Sequence, residues 1–221
     1  MVEPIKITMG DSGYVHFTLN LQKFYPKDID IEWIYDKKHR ITSESKVTEQ
    51  GDLTYDITNV ANTSISSFTD PQFKVFVTWD HESLDEPETR TLTIRDLPWI
   101  PQVEEIIVPK LEEKKKASLT CNISGYFPDH LKVSWFKKEP GTDSHPIKTP
   151  LPNDYYKVIE AKDQKEKLSC QSCLKFTYTS KRDHGAEFIC RVDHPILEHP
   201  IERSTGPIGL GKLSMNRTRN T

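Results

Sequence analysis

Short stretches of alternating apolar and polar residues recur along the chain. They lie at residues 14–19, 29–34, 73–79, 117–121, 131–136 and 174–178. β-Branched and aromatic residues are frequent in these stretches, and Gly, Pro, Asp and Asn interrupt them. A period of two is typical of strands that have one buried face. The sequence therefore predicts an all-β protein, and its many short strands favour a sandwich.

One pattern of residues occurs twice. Cys121 precedes Trp135 by 14 positions, and Leu19 precedes Trp33 by the same number. In both copies a proline follows at the same offset, seven positions after Leu19 and after Cys121. A repeat period of about 100 residues indicates two similar domains in tandem.

The domain limits are predicted from changes in composition. We expect one domain at residues 1–97 and a second at residues 98–205. Residues 206–221 are rich in Gly and basic residues and can bury little surface, so a flexible tail or stalk is predicted there.

The junction between the predicted domains contains two prolines and three apolar residues. Pro98 and Pro101 cannot donate ladder hydrogen bonds and stiffen the chain. Leu97, Trp99 and Ile100 are apolar enough to pack between two domains. We expect these three residues to form an interdomain contact and a short, rigid joint.

Charge and hydropathy exclude some functional classes. Charged residues make up 29% of the chain, but the formal net charge is only −3 and both signs are interspersed. No nucleic-acid surface is therefore predicted. The sequence contains no run of about 18 apolar residues, the length that a membrane-spanning helix requires. We expect membrane attachment only through a segment absent from this chain.

The second half contains a longer signature around its first cysteine and its last. Cys121 is followed by the turn sequence Gly-Tyr-Phe-Pro at residues 125–128, by Trp135, and by Cys-Arg-Val-Asp-His at residues 190–194. This signature resembles the constant-type domains of the immunoglobulin superfamily. The resemblance implies two tandem immunoglobulin-like Greek-key sandwiches, with Trp135 in the core of the second beside a Cys121–Cys190 disulfide.

The first half resembles the same family without its cysteines. Leu19 and Val77 stand at the two cysteine positions, and Trp33 stands at the position of the core tryptophan. The first domain is therefore predicted to lack the intersheet disulfide and to be held by packing alone. As a whole, the chain resembles signal-regulatory-protein-like receptors or tapasin-like proteins, and also antibody and T-cell-receptor constant regions.

Sequence triplets for N-glycosylation occur at Asn62, Asn122 and Asn216. Together with the implied disulfide, they favour an oxidising, secretory route. The predicted location is therefore the cell surface or the extracellular space, with the lumen of the endoplasmic reticulum as the alternative.

The resemblance does not explain Cys170 and Cys173. A redox-active Cys-x-x-Cys motif would precede a helix, whereas a strand is predicted directly after Cys173. We favour a second, local disulfide between the two cysteines. The alternative is that one of them is an interchain thiol, because regular strand geometry puts residues three apart on opposite faces.

Residues that could bind a metal or take part in catalysis form no recognised motif in the sequence. His184, His194 and His199, with Asp183 and Asp193, match no compact zinc motif. The sequence has neither a Gly-x-Ser-x-Gly turn nor a glycine-rich phosphate loop. We therefore predict a non-enzymatic protein without a metal or other cofactor.

The resemblance implies recognition of another protein. The favoured hypothesis is the membrane-proximal ectodomain of an immune-type receptor or adhesion protein, which binds a cell-surface or secreted ligand. An assembly factor of the endoplasmic reticulum, docking on an antigen-presenting molecule, is the first alternative. A soluble antibody-like constant region is the second alternative. Each hypothesis leaves open whether the chain forms a homodimer.

Overall fold

A computed structural model describes residues 2–10, 13–141, 149–150, 156–162 and 169–210. It divides into two compact units, Met1–Pro98 and Trp99–Thr221.

In the described part of the first unit, eight strands form two antiparallel sheets. The sheet orders are β1-β2-β6-β5 and β4-β3-β7-β8. The strands are β1 (Lys6–Gly10), β2 (Tyr14–Phe24), β3 (Asp30–Tyr35), β4 (His39–Ile41), β5 (Ser43–Glu49), β6 (Tyr55–Ser64), β7 (Lys74–Asp80) and β8 (Glu88–Thr93), with 3₁₀ turns at Ile65–Ser67 and Ile94–Asp96.

The core of the first unit lies between its two sheets. Strand β2 buries every second residue, as its alternating sequence requires. Phe17 on β2 contacts Trp33 on β3 of the opposite sheet, with ring centroids 5.9 Å apart. Leu19 and Val77, which replace the cysteines, are both fully buried. Apolar packing thus fills the position where a disulfide would cross the sandwich.

The second unit repeats this arrangement. Over its described residues, eight strands form sheets of order β9-β10-β14-β13 and β12-β11-β15-β16. The elements are β9 (Gln102–Val103), β10 (Lys116–Ser124), β11 (Lys132–Lys138), β12 (Thr149–Pro150), β13 (Tyr156–Lys162), β14 (Ser169–Thr177), the single helical turn α1 (Ser180–Asp183), β15 (Glu187–Asp193) and β16 (Ile201–Pro207).

One apolar cluster joins the two sheets of the second unit. It includes Leu119 and Cys121 from β10, Leu174 from β14, and Trp135 and Cys190 from β11 and β15. Strand β10 pairs with β14 in unbroken register from Lys116 to Ser124, so the buried residues of both strands share one face. The predicted all-β fold of two immunoglobulin-like sandwiches is confirmed.

The predicted start of the tail at residue 206 is wrong. Strand β16 continues to Pro207, and Ile208 is buried in the core cluster. The backbone of Ile208 also exchanges hydrogen bonds with Gly185 and Ala186. The Gly-rich composition gives no sign of the buried Ile208 side chain or of its short backbone pairing. Together these two contacts hold the chain to the domain as far as Ile208.

Candidate functional site

The centre of the second unit contains Trp135 and two buried cysteines. Trp135 pairs with Cys190 across β11 and β15, and its indole Nε1 donates a hydrogen bond to Ser172 Oγ at 3.0 Å. The four cysteines are free thiols in this structure. Donation to Cys121, together with burial, raises the pKa of the Cys190 thiol. The disulfide expected here would join two contacting side chains, and it stays a prediction.

The core tryptophan of the first unit has a different polar partner. Trp33 Nε1 donates to Asn59 Oδ1 at 2.6 Å, and the Asn59 amide donates to Ser43 Oγ and Ser45 Oγ. Asn59 is buried. Sequence reasoning missed Asn59, although a polar residue at a core-facing position of a strand is a usable signal for such a bond.

A histidine anchors the turn after the second strand of each unit. His194 Nε2 lies 2.8 Å from the carbonyl oxygen of Pro128, and His81 Nε2 lies 2.9 Å from that of Pro26. Burial lowers the pKa of His194 and keeps its ring neutral near pH 7. These contacts fix the loops that join the two sheets at one end of each sandwich.

A buried ionic cluster lies around Asp183 in the second unit. Asp183, at the end of α1, is fully buried. It accepts hydrogen bonds from Tyr156 Oη at 2.8 Å, from Thr179 N at 3.0 Å and from Arg182 Nε at 2.9 Å. Burial alone would raise the pKa of Asp183, but these donors outweigh it and hold that pKa below its usual value.

Lys137 completes this ionic cluster. It lies on the same face of β11 as Trp135 and points inward. Its Nζ donates to the carbonyl oxygen of Arg182 at 2.8 Å and lies 3.0 Å from Glu139 Oε1 and 3.6 Å from Asp183 Oδ1. The cluster positions the turn between β14 and β15 and plays a structural role, which sequence reasoning also missed.

The outer surface of sheet β4-β3-β7-β8 in the first unit carries charged and apolar side chains in ordered rows. We call it the β3–β7 face and define it by Asp30, Glu32, Ile34, Lys37, Arg40, Lys74, Phe76, Thr78 and Asp80. At its centre, Ile34 pairs with Phe76, and both side chains are half-buried. The Arg40 Nε lies 2.7 Å from Glu32 Oε1.

The second unit matches a known protein family. The model of the immunoglobulin C1-set domain matches residues 105–197. That span contains the buried Cys121, Trp135 and Cys190, together with the His194 contact. The second unit is an immunoglobulin C1-set domain. The first unit, which has the same strand order, is described as immunoglobulin-like.

Three curated proteins are similar over longer stretches. Tyrosine-protein phosphatase non-receptor type substrate 1 of Rattus norvegicus is 22% identical over 181 residues, or 81% of this chain and 33% of that protein. Signal-regulatory protein beta-1 of Homo sapiens is 23% identical over 125 residues, or 56% of this chain and 31% of that protein. Immunoglobulin heavy constant epsilon of Mus musculus is 25% identical over 202 residues, or 86% of this chain and 44% of that protein. The chain thus spans less than half the length of each relative.

Cys170 and Cys173 lie on opposite faces of strand β14 in the C1-set domain. Cys170 is buried in the core cluster, and burial raises the pKa of its thiol. Cys173 faces outward, 3.7 Å from Thr120 Oγ1. The register of β14 is regular on both sides, and a regular strand does not let residues three apart bridge. The structure therefore does not bring this pair together, and the local disulfide has no geometric support.

Two of the glycosylation candidates lie on outer sheet faces, and both side chains have polar neighbours. In the C1-set domain, Asn122 Nδ2 donates to Glu104 Oε2 at 2.9 Å, and its Oδ1 accepts from Gln171 Nε2 at 3.0 Å. In the first unit, Asn62 Oδ1 lies 2.5 Å from His16 Nδ1. Asn216 falls outside the described residues. Glycan occupancy stays a prediction at all three sites.

The three apolar residues of the junction have different environments. Leu97 is buried, whereas Ile100 is 52% exposed. Trp99 packs edge-on against Phe127 within the C1-set domain, with ring centroids 5.4 Å apart. The predicted interdomain contact of these residues stays a prediction. Over the described ranges, the structure has no helix that is long and apolar enough to cross a membrane.

Proposed function

We propose that this chain is a non-enzymatic recognition module, the membrane-proximal ectodomain of an immune-type cell-surface receptor or adhesion protein. The observation that carries the proposal is the succession of an immunoglobulin-like sandwich and a C1-set domain. Similarity to the rat and human relatives named above supports it, because one of them is signal-regulatory protein beta-1.

The chemistry of the surface favours a protein partner. Each sandwich fixes its outward side chains on paired strands, so the exposed rows of each sheet keep defined spacings. Both signs of charge occur on these surfaces, and the net charge is small. A phosphate backbone would require a one-sided basic surface, whereas mixed charges around half-buried apolar residues are typical of protein interfaces.

Binding to cells tests this proposal. The chain is displayed as a streptavidin tetramer, since multivalency makes weak binding measurable, and is applied to a panel of animal cells with and without proteolysis of their surface proteins. We expect saturable binding that proteolysis abolishes. A heat-unfolded tetramer is the matched control. The proposal fails if no cell type binds the folded tetramer more than the control and the chain also does not associate with itself.

A soluble antibody-like constant region is the second candidate function. The alignment with mouse immunoglobulin heavy constant epsilon favours it, because that alignment covers 86% of this chain. The full-length transcript distinguishes the candidates. A downstream apolar segment of about 20 residues supports the receptor, whereas further constant-type domains and a polar secretory tail support the antibody-like protein. A retention signal for the endoplasmic reticulum would instead support an assembly factor.

A further inference from the structure

The two ends of the β3–β7 face carry opposite charges. Asp30, Glu32 and Asp80 lie at one end of strands β3 and β7. At the other end, the turn into β4 carries Lys37 next to Asp36, whose backbone N–H donates to Lys74 of β7. Arg40 lies between the two ends, level with Ile34, and is paired with Glu32. Asp30 and Asp80 are hereafter called the acidic end, and Lys37 and Lys74 the basic end. Charge therefore reverses along the strand direction across a single sheet face.

At the acidic end, two like charges are directly opposed. Asp30 and Asp80 are paired residues of neighbouring strands, and both are exposed. Like charges in such a pair destabilise a sheet. Within the described part of the chain, neither carboxylate has an ion-pair partner. A cation supplied from outside this face would remove the repulsion.

At the basic end, the cations surround an apolar centre. Lys37 Nζ lies 5.9 Å from the ring centroid of Phe76, whereas Arg40, which pairs with Ile34 across β3 and β4, is held by Glu32 at 2.7 Å. Asp36 also lies at this end, but its carboxylate accepts a hydrogen bond from the backbone N–H of Lys74 at 2.8 Å. The ammonium groups of Lys37 and Lys74 thus stay exposed next to half-buried apolar side chains.

We propose that the β3–β7 face binds the same face of a second copy of this chain. A two-fold axis that is parallel to the sheet, perpendicular to the strands and midway between the two facing copies, at the level between Phe76 and Thr78, reverses the strand direction. It sets Asp80 of each copy opposite Lys74 of the other. It sets Asp30 opposite the turn of Asp36 and Lys37, where the Asp36 carboxylate already accepts a hydrogen bond from the backbone N–H of Lys74. An isologous interface requires such self-complementarity, whereas an unrelated partner requires no relation between the two ends of the face.

The size of the face indicates weak association. Four strands at about 4.8 Å spacing give a width of about 19 Å. Two such faces in contact would bury less than about 1,200 Å² of surface in total, which is at the low end for specific interfaces. The candidate glycan at Asn62 lies on the other sheet of this unit, on β6, and it would not cover the β3–β7 face. A weak interface of this kind suits contact between receptors held on one membrane.

Sedimentation velocity of the whole chain tests the proposal, which rests on the proposed function. Chain concentrations up to about 0.5 mM populate dimers whose dissociation constants are high micromolar. We expect a monomer–dimer equilibrium that weakens several-fold when the salt concentration rises from about 0.05 M to about 0.5 M, because exposed charges are screened.

Charge reversal provides the decisive comparison. The double variant Asp30→Lys/Asp80→Lys makes the face mainly basic, and Lys37→Glu/Lys74→Glu makes it mainly acidic. Each variant alone should dimerise at least about tenfold more weakly than the wild type, because like charges then face each other. A 1:1 mixture of the two variants should associate at least as strongly as the wild type. Glu44→Lys/Lys46→Glu on β5 is the matched control and should dimerise like the wild type.

The outcomes separate this inference from the proposed function. The substituted residues belong to the β3–β7 face, except Glu44 and Lys46 of the control. Circular dichroism verifies that each variant is folded. Wild-type chain that stays monomeric at the highest concentration overturns the second-copy proposal. So does a dimer that the reversals leave unchanged or that the mixture does not restore. Protease-sensitive binding of the tetramer to cells would still support the receptor function in either case.

Discussion

Replacing Asp183 by Asn should destabilise the C1-set domain alone. Asp183 is fully buried and accepts four hydrogen bonds of 3.0 Å or less, from Tyr156 Oη, Thr179 N and both Nε and Nη2 of Arg182. The asparagine amide would keep the shape of the side chain but lose its charge. It would also turn one acceptor oxygen into a donor that faces other donors.

The expected loss is about 3 kcal/mol, the lower limit for removing one member of a buried ion pair. The lower limit applies because the Arg182 side chain is 28% exposed and can regain water. Lys137 moreover keeps Glu139 as a partner at 3.0 Å. For a domain of this size, about 3 kcal/mol corresponds to a decrease in Tm of about 15 °C.

Differential scanning calorimetry of the whole chain measures this effect. We expect the transition of the C1-set domain to move to lower temperature, while that of the first unit stays in place. The matched control is Asp193→Asn, since Asp193 is 38% exposed and pairs with the equally exposed Arg191; its effect should stay below about 1 kcal/mol. An effect of Asp183→Asn no larger than that of the control would refute the assigned role of the cluster.

Four further predictions concern single residues. Burial lowers the pKa of His194. The stability that the neutral His194 ring contributes is therefore present above the usual histidine pKa of about 6.5 and is lost as the pH falls. The urea midpoint of the C1-set domain should decrease from about pH 7.5 to about pH 5.5, and equal midpoints would contradict this. Leu19→Ala should cost about 3 kcal/mol in the first unit only, measured by the same calorimetry. Tyr156→Phe should cost about 2 kcal/mol through the lost hydrogen bond to the charged Asp183. In native protein, iodoacetamide should label Cys173 faster than the buried Cys170, as peptide mass spectrometry would show.

The fold was predictable because its signals are local and repeated. Alternation in β2, β7 and β10 identifies strands without knowledge of their partners. The equal spacing of Leu19 to Trp33 and of Cys121 to Trp135 then relates the two domains. The end of the second domain was not predictable by the same means, because a single buried Ile208 between Pro207 and Gly209 leaves no periodic pattern.

The candidate surface depends on pairing that local patterns do not specify. The opposition of Asp30 and Asp80 exists only in the register that pairs β3 with β7, and that register joins positions 50 residues apart. The ionic cluster was missed for a different reason. Lysine is rarely buried, so a lysine in a strand is normally expected to face solvent. Only the spacing of two residues from Trp135 indicates that the Lys137 side chain faces inward.

Non-reducing peptide mapping of chain secreted from animal cells tests the central claim most directly. A recognition module of the secretory route should have Cys121 bonded to Cys190, since both are buried and in contact. We predict one linked peptide pair that contains these two cysteines and no other partner for Cys121. A secreted, folded chain with both thiols free, or with Cys121 bonded to Cys170 or Cys173, would contradict the account.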